Sequence, residues 1–312
     1  MSLSVREVEV FERSRGRLEA IAYRLLGSAG DAEDAVQDTF LRWQTADREW
    51  IRTPEAWLTK ALTNICLNQL TSARARRESY VGQWLPEPIL DGDRMLGPAE
   101  TAEQRDSVSF AVLTLMERLP ANERVVYVLR EAFGYAHAEI ADMLDLSESN
   151  SQQLLRRARQ HLATGPARTE TDPGAARKVV EEFLAATMSG DTGPLVRLLT
   201  GDAVSVADGG GQVPARGTPV VGALAIARFL RGSFRPAVVQ RFVDGPVAIH
   251  AAVVNSDPAM VFVVGERVIG VITLRLTDEG IVALHVQANP DKLVRLSRLW
   301  SEAEHEGAIM EW

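Results

Sequence analysis

Apolar residues recur at helical spacing through the first half of the chain. Val8, Phe11, Leu18, Ile21, Ala22 and Leu25 form one stripe, with Ser4 and Glu7 as a capping box ahead of it and Gly27 as its stop. Ala32, Ala35, Val36, Thr39, Phe40 and Trp43 form a second, predicting a helix capped by Asp31 whose other face carries Glu33, Asp34, Gln37, Asp38 and Arg42. After a connector from Gln44 to Arg52, Thr53 and Pro54 open a long third helix. Trp57, Leu58, Ala61, Leu62, Ile65 and Cys66 pack inward there, and Lys60, Asn64, Asn68 and Thr71 face out. Arg74, Arg76 and Arg77 close its end, where cations offset the carbonyl dipoles.

Residues 79–98 interrupt this periodicity with prolines, glycines and scattered acids, and read as a linker. Trp84 and Leu85 are large apolar groups in that polar stretch, so they are expected to be docked, at about 25 cal/mol per Å² removed from water. Helical spacing resumes at Ala99, predicting one helix to Leu119 and another from Pro120 to Phe133. The segments "HAEIADML" and "DLSESNSQQLLRRARQHLA" then read as a helix-turn-helix. Ser147 caps its second helix. Ser151, Leu154, Leu155, Ala158 and Leu162 face in, and Gln152, Gln153, Arg156, Arg159 and Gln160 face out with Arg157 at the edge. Gln can pair with adenine and Arg can fork onto guanine, although the pattern alone describes an amphipathic surface helix equally well.

Residues 164–174 form a second linker, poor in apolar side chains. Beyond it two helices precede a strand ("AVSVAD"), a glycine turn at Gly209 to Gly211 and another helix ("GALAIARFL"). Strands are predicted near Val238–Asp244, Val247–Val254, Ala259–Val264, Val268–Leu276 and Ile281–Gln287. Helices first and antiparallel strands later are the mark of an α+β domain. The fold expected is therefore two all-α domains, residues 1–78 and 99–163, followed by an α+β domain, residues 175–312.

Composition changes this picture little. The chain has 312 residues, 46% of them hydrophobic, and a net charge of -8. That charge argues weakly against nucleic acid, but local basic clusters matter more than the sum. A single cysteine, Cys66, excludes an intrachain disulfide. The charged N-terminus lacks the apolar core of a signal peptide and no apolar run approaches the ~18 residues that span a bilayer, so a cytoplasmic protein without membrane partners is expected.

Three blocks, "DAEDAVQDTFLRW", "TPEAWLTKALTNICLNQL" and "LPANERVVYVLREAFGYAHAEIADMLDLSESNSQQLLRRARQHL", occur in the order and spacing of a bacterial sigma factor of the extracytoplasmic-function class, which the first half of the chain resembles. The resemblance implies core RNA polymerase, through its β′ clamp helices and its β subunit, and promoter DNA as partners. It places β′ docking on Asp34, Gln37, Asp38 and the neighbouring Glu33. It places capture of an unstacked minus-ten base in the Gln44–Arg52 loop, with Trp43, Arg48 or Trp50 as the stacking group, and Lys60, Asn64, Asn68, Arg74, Arg76 and Arg77 on the same DNA. The minus-thirty-five element falls to Gln152, Gln153, Arg156 and Arg157 on bases, and Arg159 and Ser149 on phosphates. Two positions depart from the family pattern: Asp145 where many relatives have glycine, and Ser151 where a larger apolar residue is usual.

The last third resembles the SnoaL-like cone fold. "WLP" (Trp84, Leu85, Pro86), "DGGG" (Asp208, Gly209, Gly210, Gly211) and "NPDKL" (Asn289, Pro290, Asp291, Lys292, Leu293) match the group of these sigma factors that carries such a domain. The resemblance implies regulation in cis, the last motif lying near the linker. The bland account of "NPDKL" is a turn capping the final helix. The resemblance implies no cofactor, metal or catalysis. The competing expectation is a DNA-binding regulator whose cone senses a small-molecule ligand, or uses Asp208, His250, His285, Arg241 or Arg275 catalytically. No acid/base pair is fixed by spacing.

Overall fold

The computed structural model describes residues 4–78, 80–98, 101–162 and 173–312 and divides into two compact units. The first unit takes in residues 1–79, 92–108 and 112–164, and is helical: α1 (Val5–Leu26), α2 (Ala29–Thr45), α3 (Pro54–Glu78), α4 (Ala102–Asp106), all but the first two residues of α5 (Phe110–Met116), α6 (Ala121–Tyr127), α7 (His137–Leu144) and α8 (Glu148–Leu162). Ser4 and Glu7 form the expected capping box, and Gly27 closes α1 in the left-handed region at φ 66°.

Four expectations change in detail. α2 begins before Asp31, because Ser28 accepts the Asp31 N–H at 3.1 Å and is the cap. The long helix expected up to Leu119 is α4 and α5 with a break between them. Ser107 Oγ donates to the Gln104 carbonyl at 2.6 Å there, a side-chain bond that competes with the helical ladder. The next helix ends in a π-helical turn, Val128–Ala132. Val8, placed on the inward stripe, is 37% exposed, whereas every residue from Leu18 to Leu26 is buried.

Arg24 lies within this stretch and is fully buried. Its guanidinium donates to Ser107 Oγ (2.9 Å) and to the carbonyls of Ala20 (3.3 Å) and Leu96 (2.5 Å), and lies over the Phe133 ring. Burial pushes it down to about 9, so it remains charged at neutral pH. Gly97 passes against it at φ 65°. A Cβ there would lie 2.7 Å from the Ala20 Cβ and 2.9 Å from Arg24 Nη1, which is why the chain uses glycine at this approach.

The second unit takes in residues 80–91, 109–111 and 165–312. Helices α9 (Pro173–Met188) and α10 (Gly193–Leu198) precede β1 (Leu199–Asp208) and β2 (Val220–Val221). Then come α11 (Ala223–Ser233), α12 (Pro236–Val239), β3 (Ala248–Val254), β4 (Asp257–Val264), β5 (Arg267–Thr277), β6 (Gly280–Gln287), α13 (Pro290–Glu302) and β7 (Met310–Glu311). The sheet order is β2-β1-β6-β5-β4-β3-β7, with β1 and β6 parallel and the other pairs antiparallel. Asn255 and Ser256, at φ 51° and 65°, make the two-residue turn between β3 and β4, matching the right-handed twist of the strands. The strand expected over Val238–Asp244 is absent. Pro236 at the first helical position sets φ for the turn α12 instead, and Arg241 lies exposed beyond it.

Alternation divides the sheet into two buried faces. Ile249, Met260, Phe262, Ile272, Leu274 and Leu284 pack on Val180, Phe183, Leu184, Ile226 and Leu230 of α9 and α11. The opposite face carries Val254, Ala259, Val261, Val263, Val268 and Val271, covered by Leu293, Leu296 and Trp300 of α13 and by Leu85 and Phe110. Among the described residues no helix is long and apolar enough to cross a membrane, and no cluster of metal-ligating side chains occurs.

Candidate functional site

The α2 stripe is sharply two-sided. Ala32, Ala35, Val36 and Thr39 are buried, and Glu33, Asp34, Gln37 and Asp38 are exposed side by side.

The connector after α2 separates its candidates. Trp43 is 2% exposed, donates Nε1–H to the Glu7 carbonyl at 3.1 Å and packs on Trp57 at 5.5 Å between centroids. It is a core residue, because its ring completes the junction of α1, α2 and α3, and the expectation that it stacks a base is corrected. Arg48 is also occupied. It pairs with Glu7 at 2.6 Å and donates to the carbonyls of Trp43 and Gln44, so it fixes the turn's shape. The Glu7 carboxyl is held down at about 2, first by its bonds to Ser4 and then by Arg48. Trp50, on a short 3₁₀ turn, is 82% exposed and presents a flat ring to solvent.

On α3, Asn64 is half-buried and Asn68 exposed. Lys60 is engaged within the same unit, its Nζ donating to the Asp142 carbonyl (2.5 Å) and to Asp145 Oδ1 (3.2 Å). The side chains of Arg74, Arg76 and Arg77 lie outside the described residues.

In the helix-turn-helix, Ser147 Oγ accepts the Asn150 N–H at 3.2 Å and caps α8. Both departures from the family pattern have partners. Asp145 holds the left-handed turn (φ 53°) and receives Lys60. Ser151 is buried and bonds His137 Nδ1 at 2.9 Å, so an imidazole with a hydroxyl stands where a larger apolar group would pack. Ser149, Gln152, Gln153, Arg156, Arg157, Arg159 and Gln160 are exposed, and Arg159 Nη2 donates to both carboxylate oxygens of Glu131 at 2.9 and 3.1 Å. His137, Gln152, Arg156, Arg159 and Gln160 line one cleft of about 430 Å³.

The three short motifs converge within the second unit. Asp208 is fully buried at the end of β1. Its Oδ1 accepts from Tyr80 Oη (2.7 Å) and the Gly210 N–H (3.0 Å), and its Oδ2 from the Leu85 N–H (3.0 Å) and Lys292 Nζ (2.7 Å). Lys292 also donates to the Leu85 carbonyl (2.6 Å) and lies 4.4 Å from the Trp84 ring centroid. Asn289 Nδ2 donates to Tyr80 Oη (2.8 Å), and Gln287 Nε2 to the Pro86 carbonyl (3.0 Å). Asn289 also caps α13 by accepting the Asp291 N–H at 3.0 Å, and Asp291 accepts from Gln212 at 2.7 Å. "NPDKL" therefore both caps α13 and contacts residues 80–86. Pro290 occupies the first turn of α13 and Leu293 is buried.

The glycines have reasons as well. A Cβ on Gly209 would meet the Val213 carbonyl oxygen at 2.1 Å, and one on Gly210, at φ 61°, would meet Asn289 at 2.4 Å; Gly211 sits at φ 73°. Burial and Asp208 raise the Tyr80 phenol. The motifs did not include Tyr80 or Gln287; the available signal was a glutamine closing a strand two residues before "NPDKL".

His250, His285 and Arg275 stand on the α13 side of the sheet, opposite the α9 and α11 core. His285 stacks on Phe110 (5.8 Å) and lies 3.5 Å from Thr273 Oγ1, and Arg275 donates to Ser109 Oγ (3.0 Å). Burial, with Arg275, pushes His285 down to about 4, so it is neutral at physiological pH. His250 faces Trp300 and His305.

The helical unit, with the helix-turn-helix of α7 and α8, and the α+β unit define the class as a sigma factor that carries a further domain. Residues 10–76 match the model for sigma-70 region 2, and residues 109–162 that for sigma-70 region 4. The chain is 36% identical over 295 residues to the ECF RNA polymerase sigma factor SigJ of Mycobacterium tuberculosis, spanning 92% of this chain and 93% of that one. To the probable ECF sigma factor SigI of that species it is 30% identical over 286 residues, 89% and 92% of the two chains. The crystal structure of M. tuberculosis SigJ superposes with a TM-score of 0.71 at 32% identity, covering 91% of this chain and 97% of that one. The chain belongs to the ECF RNA polymerase sigma factors, proteins that bind core polymerase, direct it to promoters and catalyse no reaction of their own.

Proposed function

We propose that this sigma factor acts in the cytoplasm as a paired promoter reader whose linker is clamped by its own C-terminal domain. The α2 face Glu33, Asp34, Gln37 and Asp38 docks on the β′ clamp. Trp50, Lys60, Asn64 and Asn68, with the arginines at the end of α3, meet the minus-ten element, and Arg48 shapes that loop. Gln152, Gln153, Arg156 and Arg157 read the minus-thirty-five element, with Ser149 and Arg159 on phosphates.

The observation that carries the regulatory half is the Asp208–Lys292 pair. It grips the main chain of Leu85 at both its N–H and its carbonyl, so the linker is held by backbone geometry as well as by apolar burial. A segment held this way has two states, seated or released, and anything that favours one sets how the reading modules are presented. The test is transcription in vitro with sigma-free core polymerase, using the full chain, Lys292→Ala and a version ending near Leu162. The reading expects promoter-dependent initiation with the full chain and altered output from both variants; identical output from all three removes the regulatory role.

A further inference from the structure

Ser151 and His137 place a polar pair between the two helices of the helix-turn-helix. Ser151, on α8, is 0% exposed, and its Oγ lies 2.9 Å from Nδ1 of His137, the first residue of α7. This bond pins the imidazole from one side. His137 is itself only half-buried, and it lines the cleft of about 430 Å³ that Gln152, Leu155, Arg156, Arg159 and Gln160 complete. The ring therefore borders the same cleft as the exposed Gln152 and Arg156, although it belongs to the other helix.

The charged neighbours leave that cleft receptive to an anion. Arg159 is tied to Glu131 at 2.9 Å, so Arg156 is the cation the cleft offers. On α7, Glu139 is turned back onto the Ala136 N–H at 2.7 Å.

In a helix-turn-helix the second helix enters the groove and the first crosses the DNA backbone. A polar group at the head of the first helix, bordering the cleft of the second, is placed for a phosphate, which positions the protein and carries no base code. Resting on the reading of α8 as the minus-thirty-five helix, we infer that His137 donates to a phosphate of that element and that Ser151 is its positioning residue. With the Ser151 hydroxyl donating to Nδ1, the proton of the neutral ring lies on Nε2, the nitrogen left for DNA. Ser151 then has a reason to be small and polar. A larger apolar side chain would leave Nδ1 without this partner and the ring free to turn.

Binding of the holoenzyme, sigma-free core polymerase with the full chain, to duplex promoter DNA tests this. The probes are promoters that the parent enriches from a pool randomised at both elements. His137→Asn keeps a polar atom near Nδ1 for Ser151 and lacks the distal nitrogen, whereas His137→Gln keeps a nitrogen near Nε2. The expected result is about a tenfold loss of affinity in His137→Asn, equal on every enriched sequence because a phosphate is contacted. His137→Gln should bind close to the parent, and the melting temperature should be unchanged in both. His137→Asn binding as tightly as His137→Gln overturns the inference, since a purely structural tie between α7 and α8 needs only the Nδ1 side. Ser151→Ala should weaken binding in the parent and cost nothing further in His137→Asn; a further loss there overturns its action through His137. Gln152→Ala and Arg156→Ala test the reading of α8 separately. If both bind like the parent, that reading falls and the inference with it; if they weaken binding while His137→Asn does not, only the inference falls.

Discussion

Lys292 Nζ lies 2.7 Å from Asp208 Oδ2, and the two side chains are 12% and 0% exposed. Two charges this deep in the protein are maintained by geometry. Each also bonds the main chain of Leu85, and the lysine lies on the faces of Trp84 and Tyr80 at 4.4 and 4.8 Å. The carboxylate accepts hydrogen bonds on both oxygens, so Asp208 acts as an anchor.

Lys292→Met leaves a buried carboxylate without its cation, and breaking one partner of such a pair costs about 3–5 kcal/mol. Denaturant unfolding followed through the C-terminal unit should show that loss, and the double Asp208→Asn/Lys292→Met should recover part of it. A double variant no more stable than Lys292→Met would mean that the charge pairing is not the anchoring interaction.

Gly210→Ala tests the glycine turn. The φ of 61° and the 2.4 Å approach to Asn289 oppose a methyl group, whereas a Cβ on Gly217 meets nothing within 4 Å. Gly210→Ala is expected to cost about 1–3 kcal/mol and to loosen the Asn289–Tyr80 bond. Gly217→Ala, measured alongside by thermal unfolding, should stay within about 0.5 kcal/mol of the parent.

His285 gives a pH signature. Its folded value of about 4 lies below the ordinary 6.5, so between those limits the unfolded chain binds the proton more readily. The stability it supports is therefore complete above pH 6.5 and is lost as pH falls toward 4, about 2 kcal/mol of it by pH 5. Unfolding free energies at pH 7 and pH 5 should differ by about that much more in the parent than in His285→Gln.

Much of this was legible in the chain. The α2 stripe, the capping box at Ser4, the α8 faces and the burial of Leu85 follow from local periodicity and from the scarcity of large apolar groups in a polar linker. Trp43 stands on the inward stripe of α2 by periodicity and becomes a stacking candidate only through the resemblance, which local pattern could not weigh against its packing on Trp57. What periodicity missed is non-local. Asp208 and Lys292 are remote in sequence, and sheet pairing of β1 beside β6 brings their strand ends together. The Val238–Asp244 segment misled because its β-branched residues favour a strand, whereas the prolyl ring at Pro236 fixes the backbone first.

Asp145→Gly should affect binding more than stability. Glycine takes the left-handed turn without the Cβ penalty, and the exposed ion pair that it removes contributes little, so the net stability change stays within about 1 kcal/mol. Lys60, however, loses its carboxylate partner. The free protein is expected to bind a single-stranded minus-ten oligonucleotide more tightly, with a steeper salt dependence, in an anisotropy titration. An unchanged affinity and salt slope would show that Lys60 does not reach this DNA.

Trp43, near the end of α2, and Trp50, in the connector after it, should separate fold from reading. Trp43 is buried, hydrogen-bonded to the Glu7 carbonyl and packed on Trp57, so Trp43→Ala creates a cavity and is expected to cost about 3–5 kcal/mol in the helical unit. Trp50 is 82% exposed, so Trp50→Ala should leave the melting temperature unchanged. Its loss should appear instead in open-complex formation, because base–aromatic stacking contributes about 1–3 kcal/mol, a fall of roughly 5- to 150-fold in promoter melting by core polymerase with this sigma factor. Permanganate reactivity of unpaired thymines in the minus-ten region reads that step directly. Normal reactivity with Trp50→Ala would move base capture to another side chain of the loop, and Trp43 could not be that group without first leaving the core.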